Sequence, residues 1–145
     1  MQRAERAVRK QLRALLLGIV LLAIAACSAT ETPDDAAVCS AYDAARSHVE
    51  VVAGGDVNRI LGVRPGRESA HEGFLLRLNG GCRLTVRVET NTDFTGNIPL
   101  QIGDRVVVKG EYEYYERGGV IHWTHRDPRG HHANGYVEVD GTMYY

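Results

Sequence analysis

The sequence predicts a mainly β protein: a small five-stranded OB-type barrel with one short N-terminal helix and extra short C-terminal strands. Three observations lead there. Apolar residues alternate with polar ones over several runs of four to eight residues, the period of half-buried strands. Glycine-rich turn signals separate the runs. The first run is long and interrupted by Gly54-Gly55, and a bent first strand followed by a hairpin, a loop and another hairpin fits a small barrel.

Taken in order, Ala36–Ser47 (AAVCSAYDAARS) is rich in good helix formers, with Val38, Tyr42 and Ala45 at helical spacing and Asp34 or Asp35 available as a cap. A first strand is expected from Val49 to Val63, with a bulge or sharp coil at Gly54-Gly55. Phe74, Leu76 and Leu78 alternate with Leu75 and Arg77 in a second strand, and Asn79-Gly80-Gly81 is a hairpin turn. In the third strand Leu84, Val86 and Val88 face one side, while Thr85, Arg87 and Glu89 face a wet one. Asn91–Asp104 shows no helical periodicity and reads as a loop, so the barrel is expected to lack the helix that often lies there. Arg105–Tyr115 is a fourth strand with Gly110 permitting a bend, and Gly119–Trp123 starts a fifth. Tyr136–Val139 and Met143–Tyr145 are short strands around the turn signal Asp140-Gly141. Strand tyrosines such as Tyr112, Tyr114, Tyr115 and Tyr136 are normal core formers, though an exposed aromatic face could stack on sugars or bases.

Ahead of this domain, Arg3, Arg6, Arg9, Lys10 and Arg13 precede an uncharged run from Ala14 to Ala26. That run is too short for a bilayer core, which needs about 20 apolar residues, and fits a secretory signal. Ile24-Ala25-Ala26-Cys27 resembles the lipobox of bacterial lipoproteins, which implies cleavage before Cys27 and a diacylglycerol on its thiol. The expected organisation is a signal peptide at 1–26, a polar tether at 27–35 and one domain at 36–145. Lipidation implies a protein held on the membrane of the cell envelope. By analogy with Gram-negative sorting, Ser28 points to the outer membrane, facing the periplasm.

The chain has 17 Lys+Arg and 18 Asp+Glu; losing five basic residues and one acidic residue with the signal leaves 12 and 17, a net charge of −5 with histidines neutral. An acidic domain disfavours nucleic acid as a partner. With Cys27 consumed by lipid, Cys39 and Cys82 remain as an even pair and are expected to form a disulfide in an oxidising compartment.

Four of the six histidines lie in GGVIHWTHRDPRGHHANGY. Imidazole and carboxylate suit zinc and similar divalent ions, so His122, His125, His132 and Asp127 are metal candidates. On a strand, residues three apart face opposite sides, so His122 and His125 could share an ion only if the strand ends near Trp123 and the chain turns. A catalytic reading would pair His125 as base with Asp127. A structural reading has these polar groups fasten a loop to the barrel.

The stretch from Gly110 to Gly141 closely resembles domain-of-unknown-function family 3465, small exported bacterial proteins. The matching residues are Gly110-Glu111-Tyr112, Gly119–His125, Asp127-Pro128, Gly130, His132, Gly135 and the aromatic Tyr136, where Trp is usual. Upstream, His71 and Phe74 look like the family's His-x-x-Phe, and Asn91 and Asp93 like its Asn-x-Asp. Glu72-Gly73 replaces a more polar, bulkier pair, and Thr90 stands where His is common. The resemblance implies one constellation of His71, Asn91, Asp93, His122, His125, Asp127 and His132, with Trp123 among them. In an OB-type barrel the strand 1–2 loop, the strand 3–4 loop and the region after strand five are expected to meet. The functional expectation is an envelope-anchored module binding a small molecule, saccharide or peptide. The alternatives are a metal-dependent, phosphodiesterase-like hydrolase and a structural envelope protein.

Overall fold

A computed structural model describes residues 30–145; the expected signal peptide, Cys27 and Ser28 lie outside the described residues. From Glu31 onward, within the expected tether, the chain is tied down. The Glu31 N–H donates to the Tyr136 hydroxyl, and the Asp34 N–H to the Val52 carbonyl.

Helix α1 (Asp35–Asp43) is capped by Asp34, whose carboxylate accepts the Ala37 N–H at 3.1 Å. It stops four residues before the expected Ser47. Ala45 adopts φ +47°, and the Arg46 N–H turns back to the Ala41 carbonyl at 2.9 Å, ending the helix. Asp35, the other cap candidate, does something different. Buried, it accepts the Gly54 N–H at 2.8 Å and the Gly80 N–H at 2.6 Å, so one carboxylate ties the helix to the first strand and to the second hairpin turn.

Seven strands follow: β1 (Val49–Pro65), β2 (Ala70–Leu78), β3 (Thr85–Asn91), β4 (Arg105–Glu113), β5 (Val120–His122), β6 (Tyr136–Val139) and β7 (Thr142–Tyr144). The order is β1-β2-β3-β5-β4, and β4 pairs back to β1, closing a ring of five. All ring pairings are antiparallel except β3–β5, which is parallel, so the predicted OB-type barrel is what the chain forms. Strands β6 and β7 extend the sheet outward from β4. The turn between them, Asp140-Gly141, has φ +47° and +82°, the two positive values of a tight two-residue hairpin.

Two expectations need correction. No register shift occurs at Gly54-Gly55; the shifts lie further on, between Val57 and Arg59 and between Ile60 and Gly62. Gly55 is instead where β1 is sandwiched between β2 and β4. A β-carbon there would lie 2.3 Å from the Arg77 carbonyl oxygen, so the glycine permits close approach. The loop expected at 91–104 also contains a single helical turn, α2 (Thr92–Thr95), capped by the Asn91 side chain on the Asp93 N–H. Four residues are too few to display a 3.6-residue period.

Alternation decides the inside of the barrel. Phe74, Leu76, Val86, Val88, Val106, Val108, Tyr112 and Ile121 are buried in one core, which Val38 and Ala41 of α1 join. Cys39 of α1 is bonded to Cys82 of the β2–β3 turn, with α-carbons 6.0 Å apart, as the pairing of the two cysteines predicted. The bridge closes a loop of about 44 residues, which the chain-entropy model rates at roughly 4 kcal/mol. Replacing both cysteines by alanine is expected to lower unfolding stability by about 2–4 kcal/mol in urea titrations. The wild-type protein under reductant should match the double variant.

Candidate functional site

The side chains that leave the barrel outward follow from the same alternation. They are Thr85, Arg87, Glu89 and Asn91 on β3, Val120 and His122 on β5, and Glu111 and Glu113 on β4. Because β3 and β5 are parallel, with Arg87 opposite Val120, these residues share one continuous outer surface.

Strand β5 ends at His122, and Trp123 takes φ +54°, an uncommon value for a bulky residue. This turn separates the histidines. His122 stays over β4, with Nε2 3.6 Å from Glu111 Oε1 and 3.8 Å from Glu113 Oε1. Desolvation lowers its pKa, against the upward pull of the two glutamates. His125 turns away, is buried, and stacks on Phe94 of α2 at 4.3 Å between ring centroids. The His125 Nδ1 is 2.7 Å from the Arg126 carbonyl, and the His132 Nδ1 is 2.7 Å from that of Ala133. Trp123 stacks on His132 at 4.5 Å, and His132 meets His125 edge-on at 4.9 Å.

Asp127 organises the loop that follows. Its carboxylate accepts the N–H groups of Arg129 at 2.8 Å, of His132 at 2.9 Å and of His131. Desolvation would raise its pKa, but the backbone donors of Arg129, His132 and His131 outweigh it and bring the value down to about 2. The expected His125–Asp127 dyad is not formed; among the described residues it is the His132 imidazole whose Nε2 comes to 4.0 Å from the carboxylate. His122 therefore sits over β4, while His125, His132 and Asp127 lie together in the following loop, both imidazoles and the carboxylate being directed to backbone groups.

The upstream residues of the constellation come to the same end of the barrel. His71 is the cross-strand partner of Asn91, and its Nδ1 lies 3.2 Å from the Ser69 carbonyl. Asn91 is occupied as the α2 cap, Asp93 lies in its first turn, and Thr92 donates to the Ala70 carbonyl at 3.0 Å. The start of β2, the β3–β4 connection and the segment after β5 thus meet, as expected of the fold. Their contacts are mainly ring stacking and side chain-to-backbone bonds.

A second feature escaped the sequence reading. On the outer surface of β1, β2, β3 and β5 runs a groove of about 460 Å3. Leu61, Leu75 and Val120 supply apolar surface, and Arg87, Glu89, Tyr115 and Arg117 line the rest. Glu89 accepts Arg64 at 2.7 Å and also pairs with Arg87. The Arg87 Nε is out of solvent without a hydrogen-bond partner among the described residues. Tyr115 is 62% exposed at the groove's edge. The wet face of β3 was the signal for Arg87 and Glu89, but the groove needs β1 and the 114–119 turn beside them.

A family model described as "Protein of unknown function (DUF3465)" matches residues 19–145. No curated protein and no solved structure matches the chain.

The Asp127 geometry carries a pH dependence of definite sign. Its folded pKa of about 2 lies below the ordinary 3.8, so its stabilisation of the loop is full above pH 3.8 and is lost as pH falls toward 2. Because Trp123 is the chain's single tryptophan and stacks on His132, its emission reports that release. The wild type is expected to show a fluorescence step in this acid range. Asp127→Asn should show the altered emission already at neutral pH and no further step.

Proposed function

The chain belongs to the DUF3465 family of proteins of unknown function, and from that premise we propose that it is a binding module for a small acidic saccharide. In this reading the protein is held at the cell envelope by lipid on Cys27, and the ligand lies in the groove across β1, β2, β3 and β5. The groove's volume falls within the range of about 300–1,000 Å3 found for small-ligand pockets. The outer face of strands 2 and 3 is also where OB-type barrels take oligosaccharides and oligonucleotides. The net-acidic domain disfavours the polyphosphate backbone of an oligonucleotide.

The observation that carries the reading is Arg87, whose side chain is partly exposed on the groove wall. A ligand carboxylate in the groove would pair with its guanidinium, with Arg117 on the same wall adding a second positive charge. Arg64 and Arg87 together exceed the single charge of Glu89 between them, so the local balance is positive although the domain is acidic. Leu61, Leu75 and Val120 offer an apolar surface to a sugar face, and Tyr115 offers a ring to stack on it. The histidine-rich loop has a structural role here, since Asp127, His125 and His132 are directed to backbone groups. The disulfide agrees with an oxidising, extracytoplasmic location.

Calorimetric titration with short uronic-acid oligomers tests the proposal, with neutral oligomers of the same length as controls. The expected result is saturable one-to-one binding of the acidic oligomer, weakened at least about tenfold in Arg87→Met, a loss of about 1.4 kcal/mol, and similarly in Tyr115→Ala. Equal affinity for neutral and acidic oligomers, no binding of either, or an Arg87→Met variant as good as wild type would overturn it.

A further inference from the structure

Glu111 and Glu113 stand two residues apart on β4, so both carboxylates leave the same outer face. An imidazole flanks them on each side. On the β5 side, His122 is the cross-strand partner of Glu111. On the β1 side, Val49 is opposite Tyr112, and His48, one residue earlier, reaches both carboxylates. His48 has φ +59°, a left-handed conformation uncommon outside glycine, just where the chain enters β1. Side chains from β4, from β5 and from the entry to β1 thus converge because β4 lies between β1 and β5.

We propose that His48, Glu111 and Glu113 form a binding site for a zinc-class divalent cation, with His122 bordering it from β5. The inference does not rest on the groove, which lies on other residues. Ligand atoms about 2.0–2.1 Å from a tetrahedral ion stand about 3.3 Å from one another. His48 Nδ1 lies 3.1 Å and 2.7 Å from the Oε1 atoms of Glu111 and Glu113, and His122 Nε2 lies 3.6 Å and 3.8 Å from the same atoms, values that bracket this spacing. The ligand atoms of His48, Glu111 and Glu113 all fall within 4.8 Å of one another.

A second observation comes from His122. Its Nε2 is shielded from solvent and has no hydrogen-bond partner among the described residues, yet it faces two carboxylate oxygens. This imidazole borders the site from the β5 side, directed at the two carboxylates that would hold the ion. An imidazole with two carboxylates suits zinc, cobalt or manganese better than calcium, which takes oxygen ligands. Three protein ligands leave the fourth position to water, and the ion staples the start of β1 to β4.

The test uses the full chain, stripped with chelator, dialysed and titrated calorimetrically with zinc, with calcium as control. Cobalt(II) absorption reads the coordination number. The expected result is one equivalent of zinc bound with a Kd below about 10 µM, no calcium binding, and the intense visible bands of four-coordinate cobalt. At saturation the melting temperature should rise by about 5 °C or more. His48→Ala, at an exposed position, and Glu113→Gln should each weaken binding at least about tenfold, while His131→Ala and Arg87→Met leave it unchanged. Absence of saturable zinc binding would overturn the proposal. So would binding that survives both His48→Ala and Glu113→Gln, or that is lost in His131→Ala.

Discussion

A ring of five strands exists only if its last gap is bridged, and here three residues bridge it. Val120, Ile121 and His122 of β5 pair in parallel with β3 and antiparallel with β4. Ile121 must point inward, because the core there is otherwise open, and it is fully buried. Period-two alternation then forces Val120 and His122 outward. Val120 joins the groove beside Arg87, and His122 lands beside Glu111 and Glu113. The requirement that closes the barrel therefore also sets both features of its outer surface.

Neighbouring residues exist to make that closure fit. Gly110 of β4 faces the interior opposite β5, and a β-carbon there would stand 2.2 Å from the His122 carbonyl oxygen. Close approach of the two strands, more than a bend, is what requires glycine. Tyr112 is buried two residues on, and its hydroxyl donates to the Gly118 carbonyl at 3.2 Å, holding the turn that delivers the chain to β5. Burial, aided by Tyr42 and Tyr114, pushes that hydroxyl's pKa up to about 12, so it remains a donor at physiological pH. At the other end, Asp35 and the Cys39–Cys82 bridge hold α1 against β1 and the β2–β3 turn, which compensates for the modest core of a small domain.

What could be read from the chain was what local physics decides. Alternation over Phe74–Leu78 and Leu84–Val88 gave strands and their inner faces, and Asp140-Gly141 gave its turn. The cysteine pair followed from counting. The α2 turn was hidden because a four-residue helix has a cap, Asn91, but no period. The bulges of β1 were misplaced because Gly54-Gly55 serve a close approach, which in sequence looks like a bulge. The histidine segment announced its unusual composition, but its geometry turns on the positive φ of Trp123, which sends His122 and His125 apart. Glu113 and His48 drew no attention, and Glu111 stood out only within the family's Gly-Glu-Tyr, because their convergence is created by the β1–β4–β5 order. Arg87, Leu61 and Leu75 were similarly ordinary residues of three separate strands until the barrel aligned them.

The claim at the centre of this account is that the outer face of β1, β2, β3 and β5 is where the protein recognises its ligand. The most direct measurement is a map of backbone amide shifts, recorded on isotope-labelled protein as a uronic-acid oligomer is added. The account predicts that the largest shifts cluster on Leu61, Leu75, Arg87, Tyr115, Arg117 and Val120, with the 126–134 loop little affected. Shifts centred on Trp123, His125 and His132, with the groove silent, would contradict it.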